Sequence, residues 1–157
     1  MNAEEVFRNP IQIGMVTDDL EKTLSYFQEI LGIGPFTVVD FPPEGVDDVR
    51  MHYYGQQTPF TAKFCFFNLG NIEFEVIQPI SGKTIWHDWL EKHGGPGLQH
   101  IKFIIPEHDP LRAYMASQGV EMSQSGSSVG KNLGKVWEYY DLDDKLGFSI
   151  ETMNEII

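Results

Sequence analysis

Residues 11–36 read IQIGMVTDDLEKTLSYFQEILGIGPF, and the fold class turns on this stretch. IQIGMV is short, apolar and β-branched, and it is bounded by Pro10 and by Thr17-Asp18-Asp19, so it predicts a strand over 11–16. The acids that follow are helix-capping residues, with Glu21 three positions beyond Asp18. Leu20, Leu24, Phe27, Ile30 and Leu31 recur at helical spacing and predict one buried stripe. Gly32 and Gly34-Pro35 stop that helix, and FTVVDF at 36–41 predicts the next strand. Strand, helix and strand within 31 residues indicate a mixed α+β architecture rather than a helical bundle or an all-β sandwich.

Working outward, residues 42–60 contain Pro42-Pro43, Gly45, Gly55 and Pro59, and predict a loop or hairpin with a strand near 49–54. TAKFCFFNLG and NIEFEVIQP are two strand-like runs that turn at Gly70-Asn71. Glu73 and Glu75 alternate with apolar neighbours and so share one face. GKTIWHDWLEKH at 82–93 predicts a helix with Ile85 and Trp89 inward and Trp86 a further inward candidate, closed by Gly94-Gly95-Pro96-Gly97. The pattern then starts again: LQHIKFII is a strand, 109–118 a helix ending at Gly119, and 120–124, 134–141 and 147–153 are strand-like. With Gln12 set against His100, Ile13 meets Ile101, Met15 meets Phe103 and Val16 meets Ile104. LGNIEFEV resembles LGFSIET, which puts Glu75 opposite Glu151. A shared order of strand, helix, glycine stop and acidic terminal strand marks an internal repeat. The expected organisation is one domain over 1–157, built from module 1 (about 8–80) and module 2 (about 97–155), joined by a helix and a Gly-rich linker at 82–97.

Gln12 and Glu75 in the first module, and His100 and Glu151 in the second, occupy equivalent strand positions. A polar residue on an inward strand face must be hydrogen-bonded, paired or metal-bound. Two facing half-barrels would bring together an amide oxygen, an imidazole and two carboxylates. That set suits one divalent ion such as zinc, nickel, cobalt, manganese or iron. Each residue alone also has a plain reading: a satisfied amide, a core histidine, an edge-strand charge.

The segments IQIGMVTDDLEKTLSYFQEILGIGPF, NLGNIEFEVIQPISG, GGPGLQHIKFIIP and LGFSIETM together resemble the vicinal oxygen chelate superfamily, which includes glyoxalase I, methylmalonyl-CoA epimerase and extradiol dioxygenases. The resemblance implies paired βαβββ modules forming a cupped mixed sheet around one metal, with ligands at Gln12, Glu75, His100 and Glu151. Gln, Glu, His and Glu is the ligand pattern of zinc-type glyoxalase I. Length, the NLG…QPISG hairpin and the HGGPGLQHI junction match the epimerases better. Epimerases usually carry His at the Gln12 position and a further acid on the strand before Gly70, where Thr61 to Phe67 offers only Lys63 as an ionisable group. An extradiol-type dioxygenase is a third reading, weakened because non-haem iron oxygenases use two His and one carboxylate and Gln12 stands here in place of one His. The implied chemistry is proton abstraction next to a carbonyl, as an isomerase, epimerase or lyase, with Glu151 and Glu75 as the catalytic carboxylates. The alternative is a glyoxalase-like protein that sequesters a planar drug or metabolite without catalysis. His52, Tyr54, Phe60, Trp137 and Tyr139 are the expected substrate-pocket residues in either case.

Composition narrows the partners. Eleven Lys and Arg stand against 23 Asp and Glu, for a formal charge of −12, which disfavours a nucleic-acid surface. The single cysteine, Cys65 in KFCFF, excludes an intrachain disulfide and reads as a buried thiol. MNAEEVFRNP has no apolar signal core and no run reaches the roughly 18 apolar residues of a membrane helix, so a cytoplasmic location is expected. The expected partner is a small carbonyl compound, with no nucleic acid and no membrane. A homodimer is expected by resemblance, through apolar residues of the Trp86–Trp89 helix. His87 and His93 read as solvated and His108 as a loop residue. Asp141, Asp143 and Asp144 read as a turn rather than a calcium loop, and SGSSVG as a flexible hairpin.

Overall fold

The computed structural model describes residues 1–46 and 49–154. In chain order the elements are α1 (Ala3–Val6), β1 (Pro10–Val16), α2 (Leu20–Leu31), β2 (Val38–Phe41), β3 (His52–Tyr53), β4 (Gln56–Gln57), β5 (Thr61–Leu69), β6 (Ile72–Ser81), α3 (Ile85–His93), β7 (Gly97–Ile105), α4 (His108–Ser117), β8 (Met122–Ser127), β9 (Val136–Tyr140), α5 (Asp143–Leu146) and β10 (Ser149–Asn154). None of these helices is long and apolar enough to cross a membrane.

All ten strands join one curled mixed sheet in the order β2-β5-β6-β1-β7-β10-β9-β8-β3-β4. The middle of that order explains the rest. β1 and β7 run antiparallel, with Ile13 opposite Ile101, Gln12 opposite Lys102 and Gly14 opposite His100. Each central strand is flanked by a parallel partner: β6 beside β1, with Glu75 opposite Gly14, and β10 beside β7, with Glu151 opposite Lys102. A parallel pair needs a crossover. The order β2-β5-β6-β1 is therefore repeated, about the β1–β7 seam, by β8-β9-β10-β7.

Local chemistry sets the boundaries. Asp19 caps α2 by accepting a hydrogen bond from the Lys22 amide at 3.0 Å, and Gly32 closes it with φ 67°, a left-handed conformation that glycine adopts without a Cβ clash. Leu20 and Leu24 pack with Cys65, Phe74 and Val76, and Phe27 joins from the edge. Ile30 and Leu31, in the last turn, lie outside that cluster and are exposed. On the second half, α4 sets Leu111 and Met115 against Ile105 and Tyr140. The largest cluster gathers Val16, Phe60, Phe64, Ile77, Trp86, Trp89, Trp137 and Tyr139.

That cluster agrees with the inward reading of Ile85, Trp86 and Trp89 and corrects the expectation of exposed apolar residues on the same helix. Ile85, Trp86 and Trp89 are buried, and Trp89 packs so closely on β7 that a Cβ at Gly97 would lie 2.7 Å from its ring. The Trp86–Trp89 helix buries its apolar stripe against its own chain and leaves no apolar face for pairing with a second copy.

Candidate metal centre

The four polar residues expected inward are all buried: Gln12, Glu75, His100 and Glu151 are 1–5% exposed. Each comes from one of the four middle strands, so the curl of the sheet aims them at one point. The His100 ring supplies that point. Its Nε2 lies 3.1 Å from Glu151 Oε2, 3.4 Å from Glu75 Oε1 and 3.3 Å from Gln12 Oε1. Ligand atoms of Glu75, His100 and Glu151 all fall within 4.8 Å of one another. One N–H donor cannot satisfy three oxygen acceptors. Glu151 Oε2 is fully buried and has no hydrogen-bond partner, an arrangement that costs a folded protein several kcal/mol unless a cation or donor completes it. Two carboxylates, one imidazole and one amide oxygen, converging with an orphaned carboxylate oxygen, fit a divalent ion with nitrogen and oxygen ligands.

Outer groups hold these side chains in place. Gln99 Oε1 accepts a hydrogen bond from His100 Nδ1 at 2.6 Å and so leaves Nε2 facing the centre, the usual role of a second partner on a ligating histidine. Gln12 donates from Nε2 to Glu73 Oε1 at 2.6 Å, which turns its carbonyl oxygen to His100. Tyr139 meets the His100 ring edge-on at 5.1 Å. On the opposite side stands Gly14, where a Cβ would sit 1.8 Å from His100 Cε1. The absence of a side chain at Gly14 is what admits the imidazole.

Electrostatics separates the two acids. Burial pushes the Glu75 carboxyl up despite its bond to His100, and the charge of Glu151 adds to the rise. Burial acts the same way on Glu151, but Lys102 and His100 outweigh it and hold Glu151 down to about 2. Burial would lower His100, yet the facing Glu151 and Glu75 push it up to about 9. Lys102 Nζ pairs with Glu151 Oε1 at 3.2 Å and is itself buried.

A cavity of about 630 Å³ opens above this centre, lined by Gln12, Glu75, Glu151, Trp137, Tyr139 and Lys102 among others. Of the expected pocket residues, Trp137 and Tyr139 therefore line it. His52, Tyr54 and Phe60 do not. His52 is on β3, which pairs with β8 and β4 at the far edge of the sheet, and its ring is taken by the Arg50 carbonyl at 2.8 Å. Tyr54 follows in the same edge hairpin and is exposed. Phe60 is wedged between Phe41, Trp86 and Trp137 in the core. Aromatic character alone does not specify which edge of a sheet a loop or hairpin residue joins.

Lys102 and Glu73 also line the cavity. Lys102 was legible in principle, since it lies two residues beyond His100 on one strand and so shares its face. Lys131, Asn132 and Lys135, around a 3-10 turn at Gly130–Asn132, complete the rim. Other polar residues have structural partners instead. His108 opens α4 and is buried against Thr152, and the buried Glu138 is held by Arg112 and by the Tyr140 hydroxyl. His93 and Lys92 bind Asp143, so these charges close the α3–α5 contact rather than standing free in solvent.

The fold and this centre define a class. A sequence model of the Glyoxalase/Bleomycin resistance protein/Dioxygenase superfamily matches residues 11–137, and the chain belongs to that superfamily. Among curated proteins it is similar to the mitochondrial methylmalonyl-CoA epimerases of Mus musculus and Homo sapiens, each 27% identical over 89 residues, or 57% of this chain. The match spans about two fifths of those relatives' length, 41% and 42%. Among solved structures, a hypothetical protein from Bacillus halodurans superposes with a TM-score of 0.63 at 17% identity, covering 95% of both chains. Methylmalonyl-CoA epimerase from Mycobacterium tuberculosis gives 0.59 at 18% identity, covering 100% of this chain and 94% of the other. These structural likenesses establish the glyoxalase-like fold.

Proposed function

We propose that this protein is a metal-dependent enzyme that moves a proton next to a carbonyl, as an epimerase or isomerase of a small acyl thioester or keto acid. The observation that carries the reading is the convergence of Gln12, Glu75 and Glu151 on one imidazole nitrogen at the floor of a cavity, with Glu151 Oε2 left without a hydrogen bond. The similarity to epimerases of a CoA thioester supports it, and Lys131 and Lys135 at the rim suit an anionic tail.

Gln12, Glu75, His100 and Glu151 would hold the ion, and its chemistry is that of a Lewis acid that polarises the substrate carbonyl and lowers the acidity barrier of the adjacent C–H. The protein's own groups do the rest. Glu151, kept ionised by Lys102, is the base that takes the proton. Glu75 stands across the centre as the second carboxylate, placed to return a proton to the opposite side. Trp86, Trp137 and Tyr139 wall the cavity and exclude water from the exposed carbanion side. The test is solvent exchange: protein loaded with cobalt or zinc, incubated in D₂O with methylmalonyl-CoA, should place deuterium at the carbon between the two carbonyls. Tight binding of planar ligands that survives chelation, with no exchange on any carbonyl substrate, would favour the sequestering alternative.

Metal affinity should depend on pH with a definite sign. The ion displaces the His100 proton, which is held up to about 9 in the metal-free protein. Zinc affinity should therefore rise about tenfold per pH unit, roughly 100-fold between pH 6 and 8, as read by competition with a chelator. The same raised value means that protonated His100 stabilises the metal-free fold. That contribution is complete below the ordinary value of 6.5 and is lost as pH rises through about 9. The metal-loaded protein should not show the loss.

A further inference from the structure

The two halves of the cup correspond strand by strand, and the correspondence extends to what stands beside each acid. In the β5–β6 ladder Phe66 is directly opposite Glu75. In the β9–β10 ladder Tyr139 is directly opposite Glu151. Directly opposite residues of an antiparallel pair share one face of the sheet, with Cβ atoms about 5 Å apart, so each carboxylate has one aromatic ring at its side. The two rings differ in cover. Tyr139 is 2% exposed and packed by His100, Trp86 and Trp137. Phe66 is 45% exposed. Phe64 lies nearly parallel to it, with centroids 5.8 Å apart and planes at 7°, and takes one side of the ring. Val39 stands opposite Phe64 on β2, and Val39 and Ile11 are exposed as well. Phe66, Val39 and Ile11 all line the cavity above the candidate metal centre. Exposed apolar side chains scattered singly are ordinary, but a group of them lining one cavity marks a place where an apolar group docks.

We propose that Phe66, Val39 and Ile11 form a wall that receives an apolar group of the substrate, an aryl ring or a branched alkyl chain, held on the Glu75 side of the centre. The inference rests on the metal-dependent reading above and adds a substrate class to it: carbonyl compounds that carry a bulky apolar substituent. The occupant is a small molecule rather than a protein, because the wall belongs to a cavity of about 630 Å³ that is also lined by the buried Glu75, a space of the size that encloses a drug-sized ligand. A ring suits it in two ways. It removes from water the apolar surface that Phe66 and Val39 leave wet, and it can extend the parallel pair of Phe64 and Phe66 by a further offset stack. The matching ring in module 2 is already covered by the chain's own Trp86 and Trp137, so the uncovered ring is the one beside Glu75.

The test uses zinc-loaded protein and two hydroxamates that offer a metal the same pair of oxygens and differ in the group they carry, acetohydroxamate and benzohydroxamate. By calorimetry, benzohydroxamate should bind wild type about tenfold more tightly or better. In Phe66→Ser that advantage should fall below about threefold, with acetohydroxamate affinity unchanged. Val38→Ser, on the opposite face of β2 and lining a different groove, should keep the advantage. Equal affinities in wild type, or an advantage that persists in Phe66→Ser, overturn the wall. A second measurement needs no variant and no metal, and it decides the matter if Phe66→Ser loses acetohydroxamate too. In metal-free wild type with ¹³C-labelled valine and isoleucine methyls, benzyl alcohol should shift the Val39 and Ile11 signals and 2-propanol should not. Protein that binds neither zinc nor a hydroxamate but shows these shifts loses the metal reading and keeps the wall. Signals that ignore benzyl alcohol, or answer both alcohols alike, overturn the wall whether or not zinc binds.

Discussion

Glu151→Gln is expected to lower divalent-ion affinity by more than 100-fold and to destabilise the metal-free protein by about 3 kcal/mol. Both effects come from one carboxylate with two duties. Oε2 faces His100 at 3.1 Å, in the converging set, and Oε1 faces Lys102 at 3.2 Å. The amide removes a charged ligand and leaves the Lys102 ammonium buried beside a neutral group, and breaking a buried pair from one side is the costly direction. In urea the metal-free midpoint should fall with little change in slope. Glu75→Gln makes the contrast. Burial and Glu151 already push the Glu75 carboxyl toward its neutral form, so the metal-free protein should keep or gain stability while ion binding still weakens. Equal destabilisation by the two substitutions would contradict the inequivalence of the acids, and with it the assignment of Glu151 as base.

The second large effect belongs to a residue with no side chain. Gly14→Ala should reduce zinc affinity by at least 100-fold and cost about 2 kcal/mol of stability, in the range for forcing extra atoms into a packed site. The added Cβ would stand 1.8 Å from His100 Cε1. The ring has little room to retreat, because Gln99 holds Nδ1 and Tyr139 packs against it edge-on. Either the imidazole leaves the centre or β1 and β7 part at the seam. Calorimetry with zinc separates this from a general loss of fold, since far-ultraviolet dichroism should change little. An alanine variant that binds zinc normally would show that His100 Nε2 is not a ligand.

Only part of this was legible in the linear chain. Strand and helix periods, the capping acids before Leu20 and the glycine stops at Gly32 and Gly119 mark elements whose boundaries depend on neighbours within a few residues, and these local rules suffice to read them. The internal repeat extended that reach. It set Gln12 against His100 and Glu75 against Glu151, and the resemblance carried by those segments implied a cupped sheet, which the superfamily match and the fold likeness establish. Where neither period nor repeat applied, reading by residue type went astray. His52, Tyr54 and Phe60 lie in the irregular stretch between the repeated strands, whereas the helical period of 82–93 placed Ile85, Trp86 and Trp89 inward, where they are buried.

What the amino-acid order determined by itself is the alternation of polar and apolar residues that puts four ligand-type side chains on inward faces of four strands. What only the tertiary structure decided is which of those faces meet, and how unequal the meeting is. The antiparallel β1–β7 seam sets Gly14 under the His100 ring and Lys102 beside Glu151. Those pairings join residues more than 80 positions apart in the first case and 49 in the second. Hydrogen-bond register and sheet curl are properties of the assembled ladder, and desolvation acts only once the cup has closed. The charge difference between Glu75 and Glu151 therefore has no counterpart in the linear sequence, where the two residues look alike.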